Sequence, residues 1–312
     1  MKKKKNKIKL LIILLLLLVT TGCTQTLTTK DNKPVKNEVT GQTLTKNIIC
    51  QPTNKKTLDI YKKYNVKIEK LPECKNFKVT SGKYEGLWTS VFVKSIAWFL
   101  IKVGFLLGNF AISVIIASLI IRLIAYPVTK KTAMQSEQMK KAQPELEKIQ
   151  KKYKGKDDQE SMMKQNQEMM QVYQKYKINP IGGCIFAMLQ LPLFIAFFEA
   201  IQRTPVIFEG KFLGLQLGTT PMVGITSATF ISYLILMLII AGTTFYSFKM
   251  TSAGNMSNDP TMKMMPIIMS VMIVITAVFM PAGLGIYWVT SNVFTIIQNI
   301  LVKRSKEVNG KA

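Results

Sequence analysis

The side chains that carry most protein chemistry are missing or scattered in this chain. Its 312 residues include no histidine, so there is no imidazole base, no His-dependent triad and no imidazole metal ligand. Cys23, Cys50, Cys74 and Cys184 stand too far apart for a CxxC zinc or iron–sulfur framework. No P-loop or other catalytic motif occurs. We therefore expect a protein that is not an enzyme and needs no cofactor and no metal. What stands out is a charge in an unusual place. Arg122 is the one charged residue in the apolar run Leu106–Tyr126. A cation within hydrocarbon costs several kcal/mol unless it is paired, hydrated or able to snorkel. No apolar run contains an Asp, and Glu199 stands at the far end of the second run. An arginine so placed would attract an acidic group from elsewhere. Proton relays need acidic or histidine chains within the membrane, so pumps of that kind are disfavoured. Gln190, mid-way along the second run, and Thr290, Ser291, Asn292 and Gln298, close to Tyr287 and Trp288 in the last, add uncharged polar groups. Ser and Thr are ordinary helix-packing residues, but Gln and Asn at mid-depth fit a hydrated groove.

These residues must be positioned by elements, and the composition says which. The chain carries 42 Lys+Arg against 17 Asp+Glu, a net charge of +25, yet 48% of it is hydrophobic. Strong charge and positive mean hydropathy coexist only if basic and apolar stretches alternate, the pattern of a membrane protein. The apolar runs predict an all-α fold: a polytopic membrane protein with five transmembrane helices, a cytoplasmic helical hairpin and an outer interfacial amphipathic helix. We place the spans at 106–128, 178–200, 225–248, 264–280 and 284–302. Pro127 is expected to close the first span, and Pro281-Ala282-Gly283 to separate the last two. The stretch 85–105 mixes Trp88, Trp98, Lys94 and Lys102 with apolar residues, which suits the headgroup region.

The first 22 residues read as a signal peptide: six Lys in the first ten residues, then the apolar run Leu10–Val19, then Thr20-Thr21-Gly22 before Cys23. The run is too short to span a bilayer. A Cys at this junction resembles a bacterial lipoprotein signal, in which the Cys23 thiol would be acylated. An uncleaved anchor or an ordinary cleavage site is the alternative. Residues 23–84 read as an extracytoplasmic Lys-rich tether or small region, disordered to about Gly41 and without a sizeable core. A disulfide between Cys50 and Cys74 and two unrelated cysteines are equally compatible with the sequence.

Loop charges set the orientation. Residues 129–177 carry twelve Lys against seven acids, and the tail 303–312 four basic residues against one acid. The loop 201–224 carries only Arg203, Lys211 and Glu209. The positive-inside rule then places the hairpin 129–178, the loop 249–263 and the tail in the cytoplasm, and the N-terminal region and 201–224 outside. The hairpin reads as two amphipathic helices joined around Gly155, with a kink or restart at Pro144. Its methionines, among them Met139, Met163 and Met170, and those of 249–263, Met250, Met256 and Met262, could form an adaptable surface for varied apolar partners, or simply fill the hairpin core.

Taken in order, the motifs resemble a known family. They are Gly108-Asn109-Phe110-Ala111-Ile112-Ser113, Ile120-Ile121-Arg122-Leu123-Ile124-Ala125-Tyr126-Pro127, a Met- and Lys-rich hairpin, Asn179-Pro180-Ile181-Gly182-Gly183-Cys184, Gln190-Leu191-Pro192, and Pro281-Ala282-Gly283-Leu284-Gly285-Ile286-Tyr287-Trp288. The chain resembles the YidC/Oxa1/Alb3 membrane protein insertases in their short, lipoprotein-type bacterial form. The resemblance covers about residues 84–304 and leaves the N-terminal region without a counterpart. It implies a groove open to the cytoplasm and to lipid and closed to the outside, with Arg122 as its cation and Gln190, Trp288 and Asn292 along it. The hairpin would recruit substrate. The implied partners are nascent membrane proteins, especially acidic-tailed single-span ones, membrane lipids, a Sec-type translocon and, weakly, the ribosome; no specific nucleic acid is implied. The implied location is the bacterial plasma membrane, with the N-terminus lipid-anchored outside and the C-terminus in the cytoplasm. The competing readings are a small-solute transporter or channel, which lacks the expected inverted repeat and intramembrane acids, and an anchored surface lipoprotein, for which five spans are excessive.

Overall fold

The structure is a computed structural model that describes residues 24–309 apart from 39, 157, 180–181, 225–227 and 253–259. The signal peptide, Cys23 and Met256 lie outside the described residues. In chain order the helices are α1 (Lys55–Lys63), α2 (Lys94–Leu107), α3 (Phe110–Tyr153), α4 (Gln159–Lys175), α5 (Gly182–Arg203), α6 (Pro205–Phe208), α7 (Pro221–Gly224), α8 (Phe230–Ser252), α9 (Pro260–Val278) and α10 (Ala282–Asn309). Among the described residues the only strands are β1 (Lys211–Phe212) and β2 (Leu215–Gln216), an antiparallel pair. The protein is an all-α polytopic membrane protein. Four described helical segments are long and apolar enough to cross a bilayer: Trp88–Leu107, Phe110–Tyr153, Phe230–Thr251 and Ala282–Ser305. The stretch read from the sequence as interfacial is thus itself long enough to span.

The chain forms two compact units. One comprises 1–119, 189–238 and 276–288, the other 120–188, 239–275 and 289–312. The chain passes from one unit to the other within each of α3, α5, α8, α9 and α10.

In the first unit the N-terminal region departs most from expectation. It is folded from Thr24 onward, not a tether. Bridges pair Thr26 with Thr45, Lys36 with Thr43 and Gln51 with Glu73. Leu27, Val35, Leu44, Ile48, Tyr61 and Ile68 bury a core, and its last member is Phe208 of α6. The Tyr61 hydroxyl donates to the Thr45 carbonyl at 2.8 Å, and burial pushes its pKa up. Cys50 and Cys74 form a disulfide across 24 residues of chain. A loop of this length stabilises by roughly 3 kcal/mol in the loop-entropy view. Asn54 caps α1, its side-chain oxygen accepting from the Lys56 and Thr57 amides at 2.9 and 3.4 Å. Helix α2 follows one turn of π-helix at Trp88–Val93. It ends at Gly108, whose φ of +66° suits glycine. The Asn109 side chain then opens α3, accepting from the Ala111 and Ile112 amides.

In the second unit, α3 corrects the reading of Pro127. The helix runs unbroken for 44 residues through both Pro127 and Pro144, about 66 Å at ~1.5 Å per residue. Proline's fixed φ is itself helical, so each ring costs one ladder hydrogen bond and a local clash without ending the helix. Residues 110–128 of the expected first span and the first hairpin helix are therefore one continuous helix, while Leu106 and Leu107 belong to the end of α2. The chain turns at Gly155, at φ +80°. Asp158 caps α4, accepting from the Ser161 amide at 2.8 Å. Ala142, Leu146, Val172 and Ile178 form the hairpin core, with Met139, Met169, Tyr173 and Tyr176 packed against it.

Candidate functional site

Arg122 sits in the second unit on α3 and is only 7% exposed. Seven residues on, Thr129 of the same helix accepts a hydrogen bond from the Gln298 carboxamide of α10 at 2.8 Å. One turn and a half before Gln298, the Asn292 carboxamide donates to the Thr244 hydroxyl of α8 at 2.9 Å. Thr129, Thr244, Ser247, Ser291, Gln298 and Asn299 are all buried, although they stand on apolar helices. The unit therefore holds a set of internal polar groups drawn from three helices, with one arginine among them. In hydrocarbon each such group must find a partner inside the protein or in water, because an unsatisfied one costs several kcal/mol.

Gln190 and Trp288 lie in the first unit. The Gln190 carboxamide donates to the Tyr287 hydroxyl at 2.8 Å. Tyr287 stacks on Phe197 at 4.4 Å between ring centres, and Trp288 meets Phe194 edge-on at 5.2 Å. Aromatic pairs in these geometries contribute about 0.5–1.5 kcal/mol beyond area burial. So the sequence-predicted residues divide: Gln190 and Trp288 belong to one unit, Arg122 and Asn292 to the other.

The hairpin methionines divide as well. Met139 is half-buried against the hairpin core, the bland role for a thioether. Met163 and Met170 are 56% and 48% exposed and present unbranched, adaptable apolar side chains to the surroundings. The two helices are held antiparallel by two carboxylates. Glu145 accepts from Lys175 at 2.6 Å and from the Tyr176 hydroxyl at 2.8 Å. Glu168 accepts from Lys152 at 2.5 Å and from the Tyr153 hydroxyl at 2.9 Å. These bonds hold both carboxyls below the usual carboxylate range and raise Lys175 and Lys152.

Sequence reasoning missed a buried ionic cluster in the first unit. Arg203, 1% exposed, ends α5. Its guanidinium donates through Nε to the Asn47 carbonyl at 2.7 Å, through Nη1 to the Thr89 hydroxyl at 3.5 Å, and through Nη2 to the Glu85 carboxylate. Glu199, one turn back and 2% exposed, lies 3.8 Å from the same guanidinium and accepts from the Trp88 indole at 2.9 Å. The available signal was an acid and an arginine at i, i+4 closing an apolar run, with a tryptophan near another run's start. The anchoring of α2 was equally hidden. The Lys94 ammonium donates to the Ser81 and Lys83 carbonyls at 2.8 and 2.9 Å, and Lys102 to the Lys75 carbonyl at 3.0 Å.

Comparison with known proteins decides the lineage. Residues 102–309 match the sequence model of the family described as 60Kd inner membrane protein. The chain is 34% identical over 227 residues to the membrane protein insertase YidC of Oceanobacillus iheyensis, covering 70% of this chain and 85% of that one. The chain belongs to the YidC family. It is also 38% identical over 227 residues to the membrane protein insertase YidC of Alkalihalophilus pseudofirmus, with 72% and 84% of the two chains covered. With the membrane protein insertase MisCA of Bacillus subtilis it shares 37% over 195 residues, covering 62% and 70%. The YidC family match begins at residue 102, inside α2, so the folded N-terminal region precedes it.

Proposed function

We propose that this chain is a membrane protein insertase and chaperone that receives newly made membrane proteins in a hydrophilic groove. The observation that carries this reading is the set of buried polar side chains with Arg122 inside otherwise apolar helices. An acidic N-terminal tail of a substrate is drawn toward Arg122, while the adjoining ~20 apolar residues partition into lipid and drive the reaction. A polar path into the bilayer shortens the hydrocarbon a hydrophilic tail must cross and lowers its desolvation cost. Met163 and Met170 on the hairpin meet the substrate first. No nucleotide is consumed. The insertase works alone or beside a Sec-type translocon. The short basic tail makes weak ribosome contact at most.

Topology follows from parity. A disulfide belongs to an oxidising compartment, so Cys50–Cys74 supports an external N-terminal region. The Lys-rich hairpin belongs inside. Between them the chain crosses the bilayer an odd number of times, and only Trp88–Leu107 and the start of α3 are available. We assign the crossing to α3 and lay α2 along the outer surface. Lys94 and Lys102, about 12 Å apart along the helix at ~1.5 Å per residue, both bind backbone carbonyls of residues 75–83. A helix so tied along its length to a polar stretch suits the interface rather than the hydrocarbon. Five spans result, with acylated Cys23 outside and the C-terminus in the cytoplasm.

The test is depletion of the protein from its cells, followed by protease accessibility of a single-span substrate with an acidic external tail. Loss of tail translocation on depletion supports the reading. Undiminished translocation rejects it.

A further inference from the structure

We propose that the folded N-terminal region, together with the loop 201–224, seals the outer end of α5, and that Arg203 is the positioning residue that latches it shut. This rests on the insertase topology above and assigns a role to the one part of the chain that precedes the family match.

The contacts of this region converge on the loop 201–224 and the helix ends beside it. Phe208 completes the core of the N-terminal region. The Glu209 carboxylate accepts from the Thr53 hydroxyl and amide at 2.7 and 3.2 Å and from the Asn54 amide at 3.2 Å. The Thr219 hydroxyl donates to the Thr40 carbonyl at 3.1 Å. A Cβ on Gly41 would stand 2.3 Å from Val223, so the two segments touch backbone to side chain with no spare room. The same loop then reaches the start of α10. The Ala282 and Gly283 amides donate to the Thr219 and Leu217 carbonyls at 2.9 and 2.8 Å. Those are two of the orphan donors that open every helix. The loop that the N-terminal region grips therefore also caps the last span.

Arg203 ties this assembly to α5, the helix that carries Gln190. Besides the side-chain bonds described above, its own carbonyl accepts from the Ile49 amide at 3.0 Å. Asn47 and Ile49 stand three residues and one residue before Cys50, which the disulfide joins to Cys74. The guanidinium thus holds the segment leading into the stapled loop, through Asn47, in register with Thr89 ahead of α2 and the end of α5, while the Arg203 carbonyl adds the bond to Ile49. Ala196, Phe197, Ala200 and Ile201, the α5 residues beneath it, are all buried. Removing the guanidinium leaves the buried Glu199 without its cation and frees the Asn47 carbonyl, Thr89 hydroxyl and Glu85 carboxylate, and water entering to solvate them separates the loop from α5. A lysine keeps the charge but loses the fork that binds Asn47, Thr89 and Glu85 together.

The experiment uses the full-length protein in right-side-out membrane vesicles, with Cys184→Ser and Ala196→Cys, labelled from outside by a membrane-impermeant maleimide. The expected result is slow labelling in this parent, about tenfold faster labelling with Arg203→Ala, and an intermediate rate with Arg203→Lys. Glu85→Gln, which alters a half-exposed partner and leaves the helices intact, is expected to raise the rate a few-fold. A second reporter, Ala142→Cys in the hairpin core, probed in inside-out vesicles, is expected to stay unreactive in the Arg203 variants, which separates local opening from global unfolding. Unchanged Ala196→Cys labelling in Arg203→Ala at parental abundance overturns the proposal. If Arg203→Ala does not accumulate, unchanged labelling in Glu85→Gln overturns it. A rise at Ala142→Cys equal to that at Ala196→Cys does the same. The labelling needs no substrate, so a failure of the insertase reading shows separately, as a parent protein that does not translocate an acidic tail.

Discussion

Two buried arginines stand in different surroundings in this molecule. Arg203 has carboxylates from two segments beside it and a backbone carbonyl and a hydroxyl on its remaining donors. Arg122 shares its unit with buried hydroxyls and carboxamides, and the segments 120–129, 239–252, 264–275 and 289–302 of that unit contain no Asp or Glu. An arginine with internal counter-ions is a structural tie, and its positive charge is already spent. For Arg122 we propose the other role, a cation that draws an arriving acid. On the proposed reading the same side chain serves as a bolt in one unit and as bait in the other. What distinguishes the two is where the chain has put its acids.

The sharpest way to break this contrast is stability. Arg203→Ala leaves Glu199 buried without its cation, and breaking a buried pair by removing one partner costs about 3–5 kcal/mol. Thermal unfolding of the purified protein should show a large drop for Arg203→Ala and a small one for Arg122→Ala. Equal drops would put both arginines in the same structural class. Next in size is Tyr61→Phe, which keeps the ring in the N-terminal core but deletes its bond to Thr45, for about 1 kcal/mol. The same unfolding experiment reads it, and no change would mean that the core tolerates an open Thr45 carbonyl.

Smaller still is the pH dependence of the hairpin. Glu145 and Glu168 are held below their ordinary carboxylate pKa of 4.5. Their contribution is complete above that ordinary value and fades as pH falls through the depressed folded one. Distances between spin labels on α3 and α4 should stay fixed from neutral pH to about pH 5 and broaden in more acid solution. Distances unaltered well below that range would show that the apolar core alone holds the hairpin. Smallest in energy, though clear in readout, is Cys23→Ser, which should abolish incorporation of radioactive fatty acid. Continued incorporation would place the lipid elsewhere.

Much of the helical architecture was legible from the sequence because apolar runs of span length admit few alternatives in a bilayer. The hairpin was legible from its apolar periodicity and the Gly155 break. Pro127 misled because proline is a boundary signal only by tendency, and its φ fits the helix it interrupts. The N-terminal region misled for a different reason. Its apolar residues stand singly among Lys, Thr and Asn, so no window looks like a core. The core exists only once Phe208 arrives from a segment more than a hundred residues away and Cys50 finds Cys74. Of the proposed site, the sequence singled out Arg122 because a charge in an apolar run stands out, and Gln190, Trp288 and Asn292 by type. Their hydrogen-bond partners Tyr287 and Thr244 were not, since hydroxyls in spans are commonplace. The Arg203 cluster was missed for a related reason: Glu85, Glu199 and Arg203 each looked like an ordinary charge at the edge of an apolar run, and only the i, i+4 spacing of Glu199 and Arg203 hinted at a tie.

The contrast between the arginines reduces to one measurement. In cells depleted of the native protein, Arg122→Ala and Arg122→Lys are each compared for translocation of a single-span substrate whose external tail is either acidic or neutralised by Asp→Asn and Glu→Gln changes. We expect Arg122→Ala to lose the acidic tail by about tenfold, Arg122→Lys to restore most of it because charge rather than bidentate geometry is used, and the neutral tail to respond little to either. Equal loss in both variants, or equal loss for acidic and neutral tails, would contradict an electrostatic role for Arg122.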